Sequence, residues 1–189
     1  MRFAQLVLTV LLSLAASLPT LAAEASTRPQ PDPAYRIGEV DLQTVSAFTY
    51  ASVHARTTLA NLQDTVGVLM AKFQAAVAKG AVHPSGAMLF AYNGVTGNPN
   101  DEFDLRVGAF IARPVAVGSG IDSSDEPAMK CATLIYRGPL AHLKEAFGKL
   151  YGEVYARGLT PTPINRELYL YWEGADSANN IVQLQVGVK

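Results

Sequence analysis

A single cysteine, Cys131, stands among 189 residues. No disulfide within the chain can hold the fold, so a hydrophobic core must. Charge of one sign is not in excess either: 15 lysines and arginines meet 16 aspartates and glutamates. No cluster of Lys or Arg could track a phosphate backbone, which argues against a nucleic-acid partner. Histidine is scarce. His54, His83 and His142 lie far apart and make no His-x-x-x-His pair, so there is no spacing for a dedicated zinc site, and no metal or cofactor is expected. No Gly-x-Ser-x-Gly elbow is present, and Gly118-Ser119-Gly120 lacks the third glycine and following helix of a phosphate cradle. Cys131 sits in an apolar stretch and reads as a packed thiol rather than a nucleophile. Asp122, Asp125 and Glu126 read as part of a solvated turn.

What the chain does have begins at its N-terminus. Arg2 is followed by a largely apolar run from Phe3 to about Leu18, then by the small residues Ala22, Ala23 and Ala25. That is the order of a cleavable secretory signal, and the run is too short for a comfortable membrane span. Cleavage after Ala23 and after Ala25 are both open. The expectation is a protein of the periplasm, or otherwise secreted, that is not inserted in a membrane after processing. Residues 1–25 are then the signal, residues 26–38, with three prolines, a flexible lead-in, and residues 39–189 one domain of ample size for a core.

Within that domain, Leu59, Leu62, Val66, Leu69, Met70, Phe73 and Val77 recur at three- and four-residue spacing. This period predicts a helix from Thr58 to Lys79, closed by Gly80. Leu143, Phe147, Leu150 and Val154 predict a second, running from Arg137-Gly138-Pro139 to Arg157 and closed by Gly158. Strands are expected in 40–54, 87–92, 103–111, 129–136, 167–172 and 181–188. The Gly-, Ser-, Asp- and Pro-rich stretch from Pro114 to Pro127 reads as a connecting loop.

The two halves repeat. AVAKGAVHPSGAMLFAYNG matches VYARGLTPTPINRELYLYWEG with a small gap, and DLRVG matches QLQVG, at an offset of about 78–80 residues. Helix end, glycine, strand, turn and strand follow in the same order. The expected fold is α+β: tandem pseudo-symmetric βαββ units forming one antiparallel sheet with two helices on one face. The repeat halves are about 39–115 and 128–189.

Alternation suggests where a site lies. If Leu168, Leu170 and Trp172 face the helices, then Glu167, Tyr169 and Tyr171 face the opposite side of the sheet. Aligning the final strands puts Met88, Phe90 and Tyr92 on that same side; aligning the turns instead shifts the register by one residue and turns them toward the helices. In the first register one acid and several aromatics share a surface, the composition of a pocket for an apolar or cationic small molecule. The same pattern also fits an ordinary solvated sheet face.

Tyr136-Arg137-Gly138-Pro139-Leu140 opens a helix with Leu143 and Ala146 following, and Arg157-Gly158-Leu159 leads to Asn165-Arg166-Glu167-Leu168-Tyr169-Leu170. These segments resemble the GyrI-like small-molecule-binding proteins, relatives of the effector-binding domains of multidrug-responsive regulators. The likeness extends from about Glu39 to Lys189, with most of its specificity in the second half. It implies two βαββ units with a ligand cleft between them, a fold also similar to that of the SOUL proteins, with the acid of an Arg-Glu-hydrophobic-Tyr strand meeting the ligand. That acid corresponds to Glu167, with Tyr169 beside it. The chain departs from the pattern at Tyr151, where many relatives have Trp, and at Tyr171 and Trp172, where a more polar turn is usual. No helix-turn-helix segment precedes the domain, and an export signal is foreign to most relatives. The resemblance thus implies an exported binding protein for an apolar, possibly cationic, ligand. The alternatives are a hydrolase of a reactive small molecule using Glu167 in the same cleft, and an adaptor docking an envelope protein partner.

Overall fold

The computed structural model describes residues 35–115 and 120–189. The expected signal, most of the lead-in and residues 116–119 lie outside the described residues. Nine strands form one antiparallel sheet: β1 (Arg36–Ile37), β2 (Asp41–Val45), β3 (Phe48–Thr57), β4 (Pro84–Asn93), β5 (Phe103–Ile111), β6 (Asp122–Glu126), β7 (Met129–Arg137), β8 (Pro161–Tyr171) and β9 (Ile181–Val188). Two helices, α1 (Leu62–Ala78) and α2 (Leu143–Ala156), complete two βαββ units. Among the described residues no helix is long and apolar enough to cross a membrane.

Both helices form where the apolar period places them. A 3-10 turn over Leu59–Asn61 leads into α1, with the Thr58 hydroxyl accepting from the Asn61 amide at 3.3 Å. Leu69, Phe73 and Ala76, on one stripe, are buried. Gly80, at φ +70°, ends the helix in the left-handed conformation, and the Ala81 amide returns to the Ala76 carbonyl at 2.9 Å. α2 repeats this: Leu143, Ala146, Leu150 and Val154 are buried, and after Gly158 the Leu159 amide reaches the Val154 carbonyl at 3.0 Å. Each helix covers its own half. α1 lies on β3 and β5, and α2 on β7 and β9.

Strand order is β1-β7-β9-β8-β4-β5-β3-β6, with β2 also paired to β7. β2 therefore lies at one edge and β3 near the other, although only Ser46 and Ala47 join them. Pro127 and Ala128 make the mirror-image jump from β6 to β7. Two residues cannot span a flat sheet of this width, so the edges must meet. They do so through one continuous ribbon. Asp41 to Val45 lie opposite Thr133 to Met129, and the ladder resumes in unchanged register with Phe48 to Ser52 opposite Glu126 to Asp122. The sheet is closed on itself, which removes most of the unpaired edge a sheet would otherwise present.

Closure corrects two expectations. The stretch from Pro114 to Pro127 is not simply a loop, because it contains strand β6. Its sequence, Asp-Ser-Ser-Asp-Glu, carries no apolar alternation; β3 supplies the backbone partner that makes it a strand. Nor is the sheet face remote from the helices open to water. It is turned inward, burying Tyr50, Ser52, Leu89, Cys131, Thr133, Arg166 and Gln185. Glu126, expected in a solvated turn, lies in this interior. It accepts from Arg106 Nη1 at 2.6 Å, Arg166 Nη2 at 3.1 Å and Ser124 at 2.9 Å. Arg166 on β8 is four strand positions from β6, about 19 Å in a flat sheet, so this contact crosses the curl.

Candidate functional site

Between the strands covered by the two helices run β4 and β8, paired at the centre of the sheet. Met88 lies opposite Tyr169, Phe90 opposite Glu167, and Tyr92 opposite Asn165. Directly opposed residues of an antiparallel pair project to the same face. The register that unites Met88, Phe90 and Tyr92 with Glu167 is therefore the one the structure has.

The face is the reverse of the expected one. Phe90 and Tyr92 belong to the core cluster beneath α1, and Tyr169 packs against the clusters of both helices. Glu167 and Tyr169 thus point to the helix side, while Leu168, opposite Leu89 and Gln183, points into the curl. Alternation fixes which residues share a face but carries no label for which face holds the helices when both are buried.

Tyr171 is also placed differently. Tyr169 lies opposite Val182 but Tyr171 opposite Ile181, so β8 holds one residue more than β9 between these pairs. The bulge reverses the alternation beyond it. Tyr171 leaves the face of Glu167, and its hydroxyl donates to Glu173 Oε1 at 2.6 Å. Trp172 comes to that face instead, its ring edge-on to Tyr169 at 5.6 Å.

The halves correspond at two offsets rather than one. α1 and α2 begin 81 positions apart, at Leu62 and Leu143. The later strands match at 77: Pro84 and Met88 flank a bulge opposite Ile111 and Ala109, as Pro161 and Asn165 do opposite Val188 and Val186. On that correspondence Phe90 is the counterpart of Glu167, and Tyr92 that of Tyr169. Phe90 and Glu167 are also direct partners, so the pseudo-two-fold axis passes between them. The acid stands on the axis, where the two halves meet.

Glu167 is only 7% exposed. Tyr169 donates to its Oε2 at 2.7 Å, and the pseudo-equivalent Tyr92 hydroxyl acts on the carboxylate from the other half. Among the described residues, no cation figures in the groups that act on its charge. Burial raises its pKa above the ordinary carboxylate value, with the two hydroxyls partly offsetting that rise. Burial first, and then the negative charge of Glu167, holds both phenols well above their usual range, so they remain neutral donors. Around the acid, Phe90 meets Tyr169 at 4.8 Å and Tyr92 meets Phe103 at 6.1 Å, centroid to centroid. From α2, Tyr151 donates to Asn165 at 2.7 Å. Tyr151 and Asn165 were not singled out as site residues by alternation and composition, although Tyr151 already stood out as a departure from the family pattern.

A carboxyl with a raised folded pKa binds its proton more tightly than in the unfolded chain. Stability therefore falls as pH rises from about 4.5 through the raised value. Glu167→Gln should flatten that part of the profile and be the more stable protein above it, as denaturant midpoints across pH would show.

A lone buried acid ringed by aromatics on the axis of a duplicated βαββ unit has the composition of a small-molecule site. The chain belongs to the GyrI-like family: the model described as a GyrI-like small molecule binding domain matches residues 38–189. Among solved structures, the EcmrR C-terminal domain matches at TM-score 0.66 and 20% identity, covering 80% of this chain and 98% of that one. An EcmrR–DNA complex matches at TM-score 0.66 and 19% identity over 82% of this chain, which spans only 58% of the EcmrR chain there. SAV2435, solved bound to tetraphenylphosphonium, matches at TM-score 0.60 and 12% identity, covering 80% of this chain and 94% of that one. A hydrolase from Listeria innocua matches at TM-score 0.53 and 11% identity, covering 80% and 92%. No curated protein matches the sequence at a significant level.

Proposed function

We propose that this protein is exported and binds a lipophilic organic cation in a furrow over β4 and β8, between the strands that α1 and α2 cover, with Glu167 as the countercharge. The observation that carries the reading is the state of Glu167: buried, without a cationic partner among the described residues, and held by the Tyr169 hydroxyl among aromatic rings. An unpaired carboxylate in such surroundings is costly, and a cation with delocalised charge offsets that cost while its apolar surface meets the rings. Tetraphenylphosphonium, the ligand of the structural relative SAV2435, has this chemistry. Export rests on the N-terminal pattern of Arg2, an apolar run and small residues. Periplasmic or secreted protein should begin after Ala23 or Ala25 on N-terminal sequencing.

Isothermal titration of the folded protein with tetraphenylphosphonium tests the site. Glu167→Gln keeps the shape and removes the charge, and should weaken binding on the order of 10- to 100-fold, ~1.4–2.8 kcal/mol. Affinity of the native protein should rise with pH through the raised pKa of Glu167, because the cation binds the ionised form and displaces its proton. Equal binding by the two proteins, at every pH, would falsify the role of Glu167. Turnover of a reactive ligand that disappears in Glu167→Gln would make the site hydrolytic instead.

A further inference from the structure

The bulge in β8 brings to the face of Glu167 a ring that neither alternation nor the family pattern assigns to it. Without the bulge, Trp172 would turn away from Glu167. The extra residue between the Tyr169–Val182 and Tyr171–Ile181 pairs re-aims it, and bulges are enriched beside functional sites for this effect. The result is a graded series of rings on one face. Phe90 is 7% exposed and Tyr169 is half-buried, while Trp172 is 48% exposed. Centroids step 4.8 Å from Phe90 to Tyr169 and 5.6 Å from Tyr169 to Trp172, at most about 10 Å in all. Tyr169 is the hinge of the series, since its hydroxyl also holds Glu167.

The exposed indole is not on a slack segment. Immediately after it, Glu173 organises the return to β9. Its carboxylate accepts from Tyr171 at 2.6 Å, Ser177 at 2.8 Å and Asn179 at 2.9 Å. Its amide donates to Asn180 Oδ1 at 3.0 Å, and the buried Asn180 in turn donates to the Gly174 carbonyl at 2.6 Å. A half-exposed tryptophan fixed beside a buried acid is a contact surface ordered before ligand arrives.

We propose that Trp172 is a ligand-binding residue that forms the outer aromatic wall of the furrow and selects cations bearing several aromatic rings over compact alkylammonium ions. This rests on the reading of Glu167 as the countercharge and adds to it. A multi-ring cation placed with its charge near Glu167 reaches outward along Tyr169 to the indole, whereas a compact cation engages only the inner rings.

Trp172 is the only tryptophan in the sequence, so the chain's indole emission reports on this position alone. Titration with tetraphenylphosphonium should shift or quench that emission with the same midpoint that calorimetry gives. Trp172→Ala should bind tetraphenylphosphonium roughly tenfold more weakly, ~1.4 kcal/mol, and Trp172→Phe should recover part of the loss. Binding of tetramethylammonium, measured alongside, should change less than twofold in either variant. If tetraphenylphosphonium binds in a Glu167-dependent way while emission and the affinity of Trp172→Ala stay unchanged, Trp172 is not in the site and the countercharge reading survives. If the native protein takes up no tetraphenylphosphonium by calorimetry, the countercharge reading itself fails and this inference with it. The emission readout uses the native chain, so a variant that fails to fold leaves the test decisive.

Discussion

Glu126→Ala is expected to lower the unfolding free energy by about 3–5 kcal/mol, a large share of the roughly 5–15 kcal/mol available to a domain. Its carboxylate joins Arg106 on β5 to Arg166 on β8 across the inside of the closed sheet. Arg166 is 2% exposed, and two of its guanidinium nitrogens, Nε and Nη1, already lack a hydrogen-bond partner among the described residues. Removing Glu126 leaves a buried guanidinium with the Phe48 ring, 5.0 Å from its central carbon, in place of an anion, and the desolvation that the ring offsets only in part is what costs so much. Burial alone would raise the pKa of Glu126, but the Arg106 hydrogen bond and charge, Ser124 and Arg166 bring it below the ordinary value. Its stabilisation is therefore full above the unfolded pKa and is lost as pH falls through the lowered folded one. Denaturant titrations at neutral pH should show the whole loss in Glu126→Ala. Those at progressively lower pH should show the two proteins converging. A loss below 1 kcal/mol at neutral pH would mean that the network is solvated and does not hold the curl.

Gly108→Ala should be at least as damaging, on the order of 4–5 kcal/mol or outright loss of a cooperative transition. Gly108 lies opposite Ser52 in the β3–β5 ladder. A Cβ there would stand 1.9 Å from the Ala51 carbonyl oxygen and 2.7 Å from Ser52 Cα, both backbone atoms of the neighbouring strand. Neither can move without breaking the ladder where β3 also pairs with β6. Gly148 is the control. It lies in α2 with open space where a Cβ would go, so Gly148→Ala should stabilise by about 0.4–1 kcal/mol. Thermal unfolding of the two variants should move in opposite directions. Equal melting temperatures would show that the strands separate enough at Gly108 to admit a methyl group.

The motif DLRVG thus ends in a glycine with a steric task. Its repeat, QLQVG, ends at Gly187, where a Cβ would meet the Thr162 hydroxyl at 2.2 Å. Yet by strand correspondence Gly108 and Gly187 are not equivalent positions. At the offset of 77 the counterpart of Gly108 is Gln185, and that of Gly187 is Phe110. Sequence similarity aligned the glycines, whereas hydrogen bonding aligned the bulges. The offset of about 78–80 lies between the two true ones because α2 is shorter than α1 by three residues, 14 against 17, and the link from Gly158 to Pro161 is one residue shorter than that from Gly80 to Pro84.

Some of this protein was legible in its residues alone. The helices were, because six apolar residues at helical period in α1, with Leu59 in the turn before it, and four in α2 leave one face to bury, and Gly80 and Gly158 can stop the chain where few other residues can. The βαββ duplication and its antiparallel sheet were legible for the same reason: period and punctuation are local. The grouping of Met88, Phe90 and Tyr92 with Glu167 and Tyr169 was legible in only one of two registers, and the β4–β8 ladder chose between them. Three features depended on contacts far apart in the chain. Strand β6 exists because Phe48–Ser52 offer it a ladder. The inward face is buried because two-residue links force the edges of the sheet together. And Trp172, not Tyr171, joins Glu167 because one residue of β8 finds no partner on β9, which changes parity for everything beyond it. Local periodicity determined the two helices and most of the strands; only tertiary pairing decided which side of the sheet holds the acid and which ring beyond Tyr169 stands with it, because both sides are buried and sequence pattern marks burial without marking what does the burying.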